Sequence, residues 1–175
     1  MSINKGDFMH NVGNVVEVVI EIPMGSDPVK YEVNDMTGEI YLDRFLDTAM
    51  YYPCNYGFVP DTLADDGDPI DVLVMSPYPL LPGCKARCRI IGMLDMLDEE
   101  GTDHKLFAVP IDRTYNDWHD VEDIPTRLKN QIKHFFQHYK DLEPDKWTQV
   151  TGWKDADTAR EALKNAIKKP TVLIN

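Results

Sequence analysis

The chain has 175 residues, 43% of them hydrophobic and 27% charged. That balance excludes a disordered or membrane-embedded chain and suffices to bury one core without disulfides, so we expect a single domain over 1–175. Thirty acidic against 18 basic side chains give a formal charge of −12, which opposes docking to nucleic acid or an anionic membrane and requires cations beside any anionic substrate. The first residues, Met1-Ser2-Ile3-Asn4-Lys5-Gly6-Asp7, lack an apolar signal core, and no stretch approaches the ~18 apolar residues of a membrane span. Cys54, Cys84 and Cys88 are an odd number, which suits a reducing compartment. We therefore expect a cytoplasmic protein. Cys84 and Cys88 have no second Cys or His pair at zinc-site spacing.

In chain order, the β-branched run Val15 to Ile22 reads as a strand ending at Pro23, with Glu17 and Glu21 on one face. Short strands are expected over Val29 to Val33, Glu39 to Phe45, Asp71 to Met75, Ala86 to Leu94 and Lys105 to Val109, separated by Gly, Pro, Asn and Asp. Helical spacing appears late. Leu128, Ile132, Phe135, Phe136 and Tyr139 form one apolar face behind the start signal Asp123-Ile124-Pro125. Ala159, Ala162, Leu163, Ala166 and Ile167 form another, with Asp155 or Asp157 as N-cap and Pro170 as terminator. Many short strands followed by two helices predict an α+β fold with a small barrel or sandwich, the barrel preferred.

Three aspartates crowd the turn Asp66-Gly67-Asp68-Pro69-Ile70-Asp71. Two charges ~6 Å apart repel by about 3 kcal/mol at an effective dielectric of 20, so a cation is expected among them. Carboxylate oxygens suit Mg²⁺, Mn²⁺ or Ca²⁺, and Mg²⁺ commonly shares a few carboxylates with water and phosphate. Asp and Gly are also ordinary turn formers, so the segment alone fits either a metal site or a turn. A period of two places Lys30 and Glu32 on one strand face, and Asp43 and Arg44 on opposite faces. Arg44 has the planar fork that grips phosphate. Asp98-Glu99-Glu100-Gly101-Thr102-Asp103-His104-Lys105 is a second acidic link between strands. Tyr51, Tyr52 and Tyr56 read equally as packing residues, and Tyr139 with Lys140 as a helix end.

Taken together, Asp66 through Val72, Val19-Ile20-Glu21-Ile22-Pro23, Lys30-Tyr31-Glu32, Asp43-Arg44-Phe45, Tyr52-Pro53-Cys54-Asn55-Tyr56-Gly57, Asp98 through Lys105, and His134-Phe135-Phe136-Gln137-His138-Tyr139-Lys140 resemble, in this order, the family I soluble inorganic pyrophosphatases of bacteria. The resemblance covers residues 15 to 168. It implies Mg²⁺-dependent hydrolysis of pyrophosphate to two phosphates, with Mn²⁺ or other divalent ions as substitutes, in a distorted five-stranded OB-like barrel with helices outside. It further implies Asp66, Asp71 and Asp103 as ligands of activating metal, with Asp71 shared between two ions. Asp98 with Asp103 would receive the metal arriving with substrate, and Glu21 and Glu32 would be outer or additional metal-site carboxylates. Asp68 resembles the general base, and Lys30, Arg44, Tyr56, Lys105, Tyr139 and Lys140 the phosphate-binding set. A homohexamer, a dimer of trimers with His134 and His138 at the trimer contacts, is implied as well. Asp65 and the apolar tail Pro170 to Asn175 stand outside the pattern.

Rival classes fit less well. An EF-hand starting at Asp66 needs an oxygen ligand where Ile70 sits and glycine where Asp71 sits. An OB-type nucleic-acid binder needs a basic, aromatic groove, and this chain is acidic. A phosphohydrolase for nucleotides or phosphomonoesters is the nearest enzymatic alternative, but no large insert for base or sugar recognition is visible.

Overall fold

The computed structural model describes residues 15–167. The apolar tail and Pro170 lie outside the described residues. The strands are β1 (Val15–Ile22), β2 (Val29–Val33), β3 (Ile40–Phe45), β4 (Asn55–Phe58), β5 (Asp71–Val74), β6 (Lys85–Asp98), β7 (Gly101–Thr102), β8 (Lys105–Pro110) and β9 (Thr148–Lys154). The helices are α1 (Thr126–His138), before β9, and α2 (Ala156–Ala166), after it. β1 pairs with β4, β4 with β5, β5 with β8, β8 with β6, and β6 returns to β1. That circuit closes a five-stranded barrel in which only β5–β8 is parallel. The 14-residue β6 makes closure possible, because its first half serves β1 and its far half carries β7 and β9. The barrel is distorted: register shifts interrupt β1–β4, β6–β8 and β6–β9. β2 and β3 form a separate two-stranded sheet.

Side chains alternate across the strands and feed two apolar clusters. Leu73, Leu94, Met96 and Phe107 pack with Ile132, Phe135 and Phe136 of α1. Val18, Ile20, Val72, Ile90 and Leu106 pack with Ala159, Leu163 and Ala166 of α2. Full burial of a side chain such as Phe136 contributes about 1.5–3 kcal/mol. Gly57, opposite Ile20 on β1, permits a close approach of the two strands: a Cβ there would lie 2.0 Å from the Val19 carbonyl oxygen.

Several local expectations are corrected. β4 and β9 were not expected. β4 is only four residues long and contains Gly57, while β9 is half polar and carries Gly152. Asp123 does not start α1; its carboxylate accepts from the His119 and Asp120 backbone N–H groups in a preceding 3-10 turn, and Pro125 precedes the helix without a side-chain cap. Asp155, not Asp157, caps α2 by accepting from Thr158 N at 2.8 Å. Ile167 lies beyond that helix and bridges to Thr62. Asp43 and Arg44 do not separate onto opposite faces. The β2–β3 register moves from Lys30↔Arg44 to Tyr31↔Leu42, leaving Asp43 unpaired in a bulge that breaks the period of two.

Candidate functional site

Strand register assembles the site at one end of the barrel. The parallel pairing of β5 with β8 sets Asp71 directly beside Lys105, and Tyr56 stands one strand away on β4, opposite Leu73. β6 ends at Asp98, and the short β6–β7 turn returns the chain so that Asp103 N bonds Met96 O at 3.0 Å. Glu21 falls in the irregularity of β1, between Ile20 and Ile22, where its Oε1 accepts from Val33 N at 2.9 Å and links the barrel to the β2–β3 hairpin. Tyr139 and Lys140 leave the end of α1. Phe135 stacks on Tyr139 at 5.4 Å between ring centroids, and Phe136 lies 6.4 Å from Tyr56, so the phenols rest on an aromatic floor.

The aspartate turn is pinned from both sides. Thr62 Oγ1 donates to Val59 O at 2.6 Å and accepts from Ile70 N at 2.9 Å. Asp66 Oδ1 accepts from Asp68 N at 3.0 Å, and Gly67 has a φ of +93° that disfavours any side chain. These bonds present Asp66 and Asp68 at the rim and Asp71 deeper. Turn chemistry and a role for the carboxylates are therefore compatible rather than exclusive.

All thirteen site residues expected from the sequence line a single open cleft of about 530 Å³. Eleven carboxylates and five cationic side chains face it, and the cations are distributed among the anions. Lys105 Nζ lies 2.5 Å from both Asp71 Oδ2 and Asp103 Oδ1 and donates to Tyr56 Oη at 3.2 Å. Lys140 Nζ lies 2.9 Å from Asp98 Oδ2 and 3.1 Å from Glu99 Oε1. Lys30 Nζ lies 3.0 Å from both Glu32 and Asp43. Arg44 pairs with Glu143. A second hollow of about 270 Å³ behind the aspartate turn shares Asp66, Asp71 and Asp103 but is lined by no Lys or Arg, so it offers nothing comparable to an anion.

Burial dominates the titration of these groups, and neighbouring charges add to it or oppose it. Burial, with Asp71 adding to it, pushes Glu21 up to about 7 despite the Val33 hydrogen bond. Partial burial, then Asp66 and Asp71, raises Asp68. Burial also raises Asp103, with Lys105 opposing and Asp71 reinforcing. Burial would strip the Lys105 proton, but Asp71, Tyr56 and Asp103 hold it on, well above the ordinary lysine range. Burial raises the Tyr56 and Tyr139 phenols, which stay protonated as donors.

The donor set fits hard divalent cations, because carboxylates dominate the lining of one cleft. Among the described residues no three acidic, imidazole or thiol groups converge into a complete coordination sphere. An ion there would keep water or substrate oxygens as ligands, as Mg²⁺ commonly does.

Sequence reasoning missed four groups that the fold brings to this cluster. Glu99 was visible within the acidic run but had no assigned partner until Lys140 was placed beside it. Tyr52, read as packing, lines the cleft beside Tyr56, 5.9 Å between ring centroids. Glu143 and Lys146 lie in an ordinary-looking loop after α1, with no local signal.

A family profile for inorganic pyrophosphatases matches residues 18–171. The inorganic pyrophosphatase of Yersinia pestis is 50% identical over 172 residues, 97% of this chain and 98% of that protein. That of Aquifex pyrophilus is 56% identical over 156 residues, 87% of this chain and 88% of that protein. The crystal structure of inorganic pyrophosphatase from Thermus thermophilus superposes with a TM-score of 0.84 at 46% identity, covering 90% of that chain and 89% of this one. With the same barrel and a match through the whole cleft-forming region, the chain belongs to the inorganic pyrophosphatase family.

Proposed function

We infer that the chain hydrolyses inorganic pyrophosphate to two phosphates in this cleft, as one catalytic domain over 1–175, with Asp68 as general base. The observation that carries the reading is the interleaving of Lys30, Arg44, Lys105 and Lys140 with crowded carboxylates in one cleft. Water oxygen forms a bond to one phosphorus, the bridging P–O bond breaks, and the water proton passes to Asp68. A carboxylate raised by partial burial and by Asp66 and Asp71 is a stronger base than a free one. Lys30, Arg44, Lys105 and Lys140 oppose the charge that accumulates on the phosphoryl oxygens, and the protonated Tyr56 and Tyr139 phenols donate to them. Pro69 fixes φ next to Asp68 and stiffens the turn that holds the base.

Divalent cations, Mg²⁺ by preference and Mn²⁺ as a substitute, would be held by Asp66, Asp71, Asp98 and Asp103, with Glu21 and Glu32 further out, and would supply charge neutralisation and a more acidic water. The chemistry of the donor set supports the hard-cation assignment.

We also propose a cytoplasmic homohexamer, a dimer of trimers. Ile40, Leu42 and Phe45 on the hairpin are exposed apolar side chains suited to covering by another copy. His134 and His138, 4.8 Å apart between ring centroids, lie on an outer face of α1. The three cysteines are free, in keeping with a reducing compartment. No helix among the described residues is long and apolar enough to cross a membrane.

Phosphate release from pyrophosphate, with Mg²⁺ and with EDTA, beside ATP and a phosphomonoester, tests the reaction. The reading requires fast Mg²⁺-dependent release from pyrophosphate and little from the others. A folded, Mg²⁺-loaded protein that prefers ATP or the monoester would overturn the substrate assignment.

A further inference from the structure

Glu143 is a charged residue outside every motif, yet its side chain is only 8% exposed. Its Oε2 receives the Arg44 Nη1 hydrogen bond and lies 3.7 Å from Lys146 Nζ, while its Oε1 is buried with no hydrogen-bond partner among the described residues. A carboxylate in such a place is costly unless cations face it, and Arg44 and Lys146 are the two that do. Both also line the cleft.

The partnership joins segments 99 residues apart. The β2–β3 hairpin is a two-stranded sheet, a unit with little stability of its own. It is tied to the barrel near Val33 by the Glu21 hydrogen bond and by a small cluster of Val33 with Val19 and Phe58. Arg44 stands at the other end of the hairpin, and there Glu143 supplies the tie to the loop after α1. The geometry leaves Arg44 usable. Only Nη1 is committed to Glu143, and Nε stands 3.8 Å from Asp43, too far for a hydrogen bond, so among the described residues the remaining N–H groups of the fork have no partner and can serve phosphate.

We propose that Glu143 is a positioning residue for the hydrolysis: its buried carboxylate fixes the Arg44 guanidinium, with the Lys146 ammonium beside it, at the rim of the cleft and clasps the hairpin over the substrate. This rests on the reading of Arg44 as a phosphate ligand. Arg44 otherwise carries a flexible side chain whose ordering would be paid for at each binding event, and an anchored guanidinium avoids that loss.

The test is a double-mutant cycle of Glu143→Ala and Arg44→Ala, with Glu143→Gln as the conservative variant and Mg²⁺-pyrophosphate as substrate. Glu143→Ala should raise KM about tenfold with a smaller fall in kcat, and Glu143→Gln, which retains an acceptor oxygen, should recover to within about threefold of the parent. In the Arg44→Ala background Glu143→Ala should change KM less than about twofold, because the group through which it acts is gone. Additive effects on KM would overturn the proposal, as would a Glu143→Ala protein with lowered Tm and unchanged KM. An Arg44→Ala enzyme with unchanged KM would instead overturn the assignment of Arg44, a separate result from a raised KM in Arg44→Ala alongside a normal one in Glu143→Ala.

Discussion

Lys105 and Lys30 each sit between two carboxylates, yet the fold supports them differently. Lys105 is 3% exposed, 2.5 Å from Asp71 and Asp103, and its place is dictated by parallel strands that begin side by side. Lys30 is 29% exposed, 3.0 Å from Glu32 and Asp43, on a bulged two-stranded hairpin outside the barrel circuit. The trio of charges is thus buried within the structure in the inner half of the cleft, and accessible to solvent at the outer rim. A buried charge left without its partner costs ~3–5 kcal/mol, whereas an accessible pair contributes about 1 kcal/mol or less.

Replacing each lysine by methionine separates the two sites most sharply. In EDTA, Lys105→Met should lose ~3–5 kcal/mol of stability in urea unfolding, since Asp71 and Asp103 are left facing one another, and Lys30→Met about 1 kcal/mol or less. Equal losses would mean that the two halves are supported alike. Lys30→Met should show its main effect as a raised KM for pyrophosphate, with little change in melting temperature.

Glu21 joins the two halves, and its titration gives a smaller but signed effect. Its folded-state pKa, about 7, lies above the ordinary glutamate value of 4.5. Between these values the folded protein binds more protons than the unfolded chain, so this group's contribution is fully present below about 4.5 and is lost as pH rises through 7. The shift corresponds to roughly 3 kcal/mol as an upper bound. In EDTA, Glu21→Gln should therefore melt higher than the parent at pH 8, with the gap closing toward pH 5. A gap that widens toward acid pH would contradict the sign. Added Mg²⁺ should shrink the gap at pH 8 by stabilising the ionised carboxylate in the parent.

The inner half of the cleft was the more legible in the sequence, for a physical reason. Asp66, Asp68 and Asp71 must lie within a few residues because one pinned turn presents them, and Asp98, Asp103 and Lys105 likewise share one tight strand connection. Local proximity leaves a local motif. The rim leaves less trace. Strand period alone set Asp43 and Arg44 on opposite faces because a bulge cannot be read from alternation, and Glu143 acquires its role only when the chain folds back across 99 residues. The barrel's strands were legible where β-branched residues dominate, as in β1, or where apolar residues run together, as in β8. β4 escaped because closure of the barrel demands Gly57, a residue that weakens the strand signal it serves.

We propose that Asp68 takes the proton of the attacking water in a cleft whose other carboxylates hold the cations. Turnover of Asp68→Asn, measured beside its Mg²⁺ binding by calorimetry, tests it most directly. The account predicts a kcat lower by about 10²–10⁴-fold with Mg²⁺ binding and melting temperature close to the parent's. Near-parental kcat in Asp68→Asn, with Mg²⁺ bound, would contradict it.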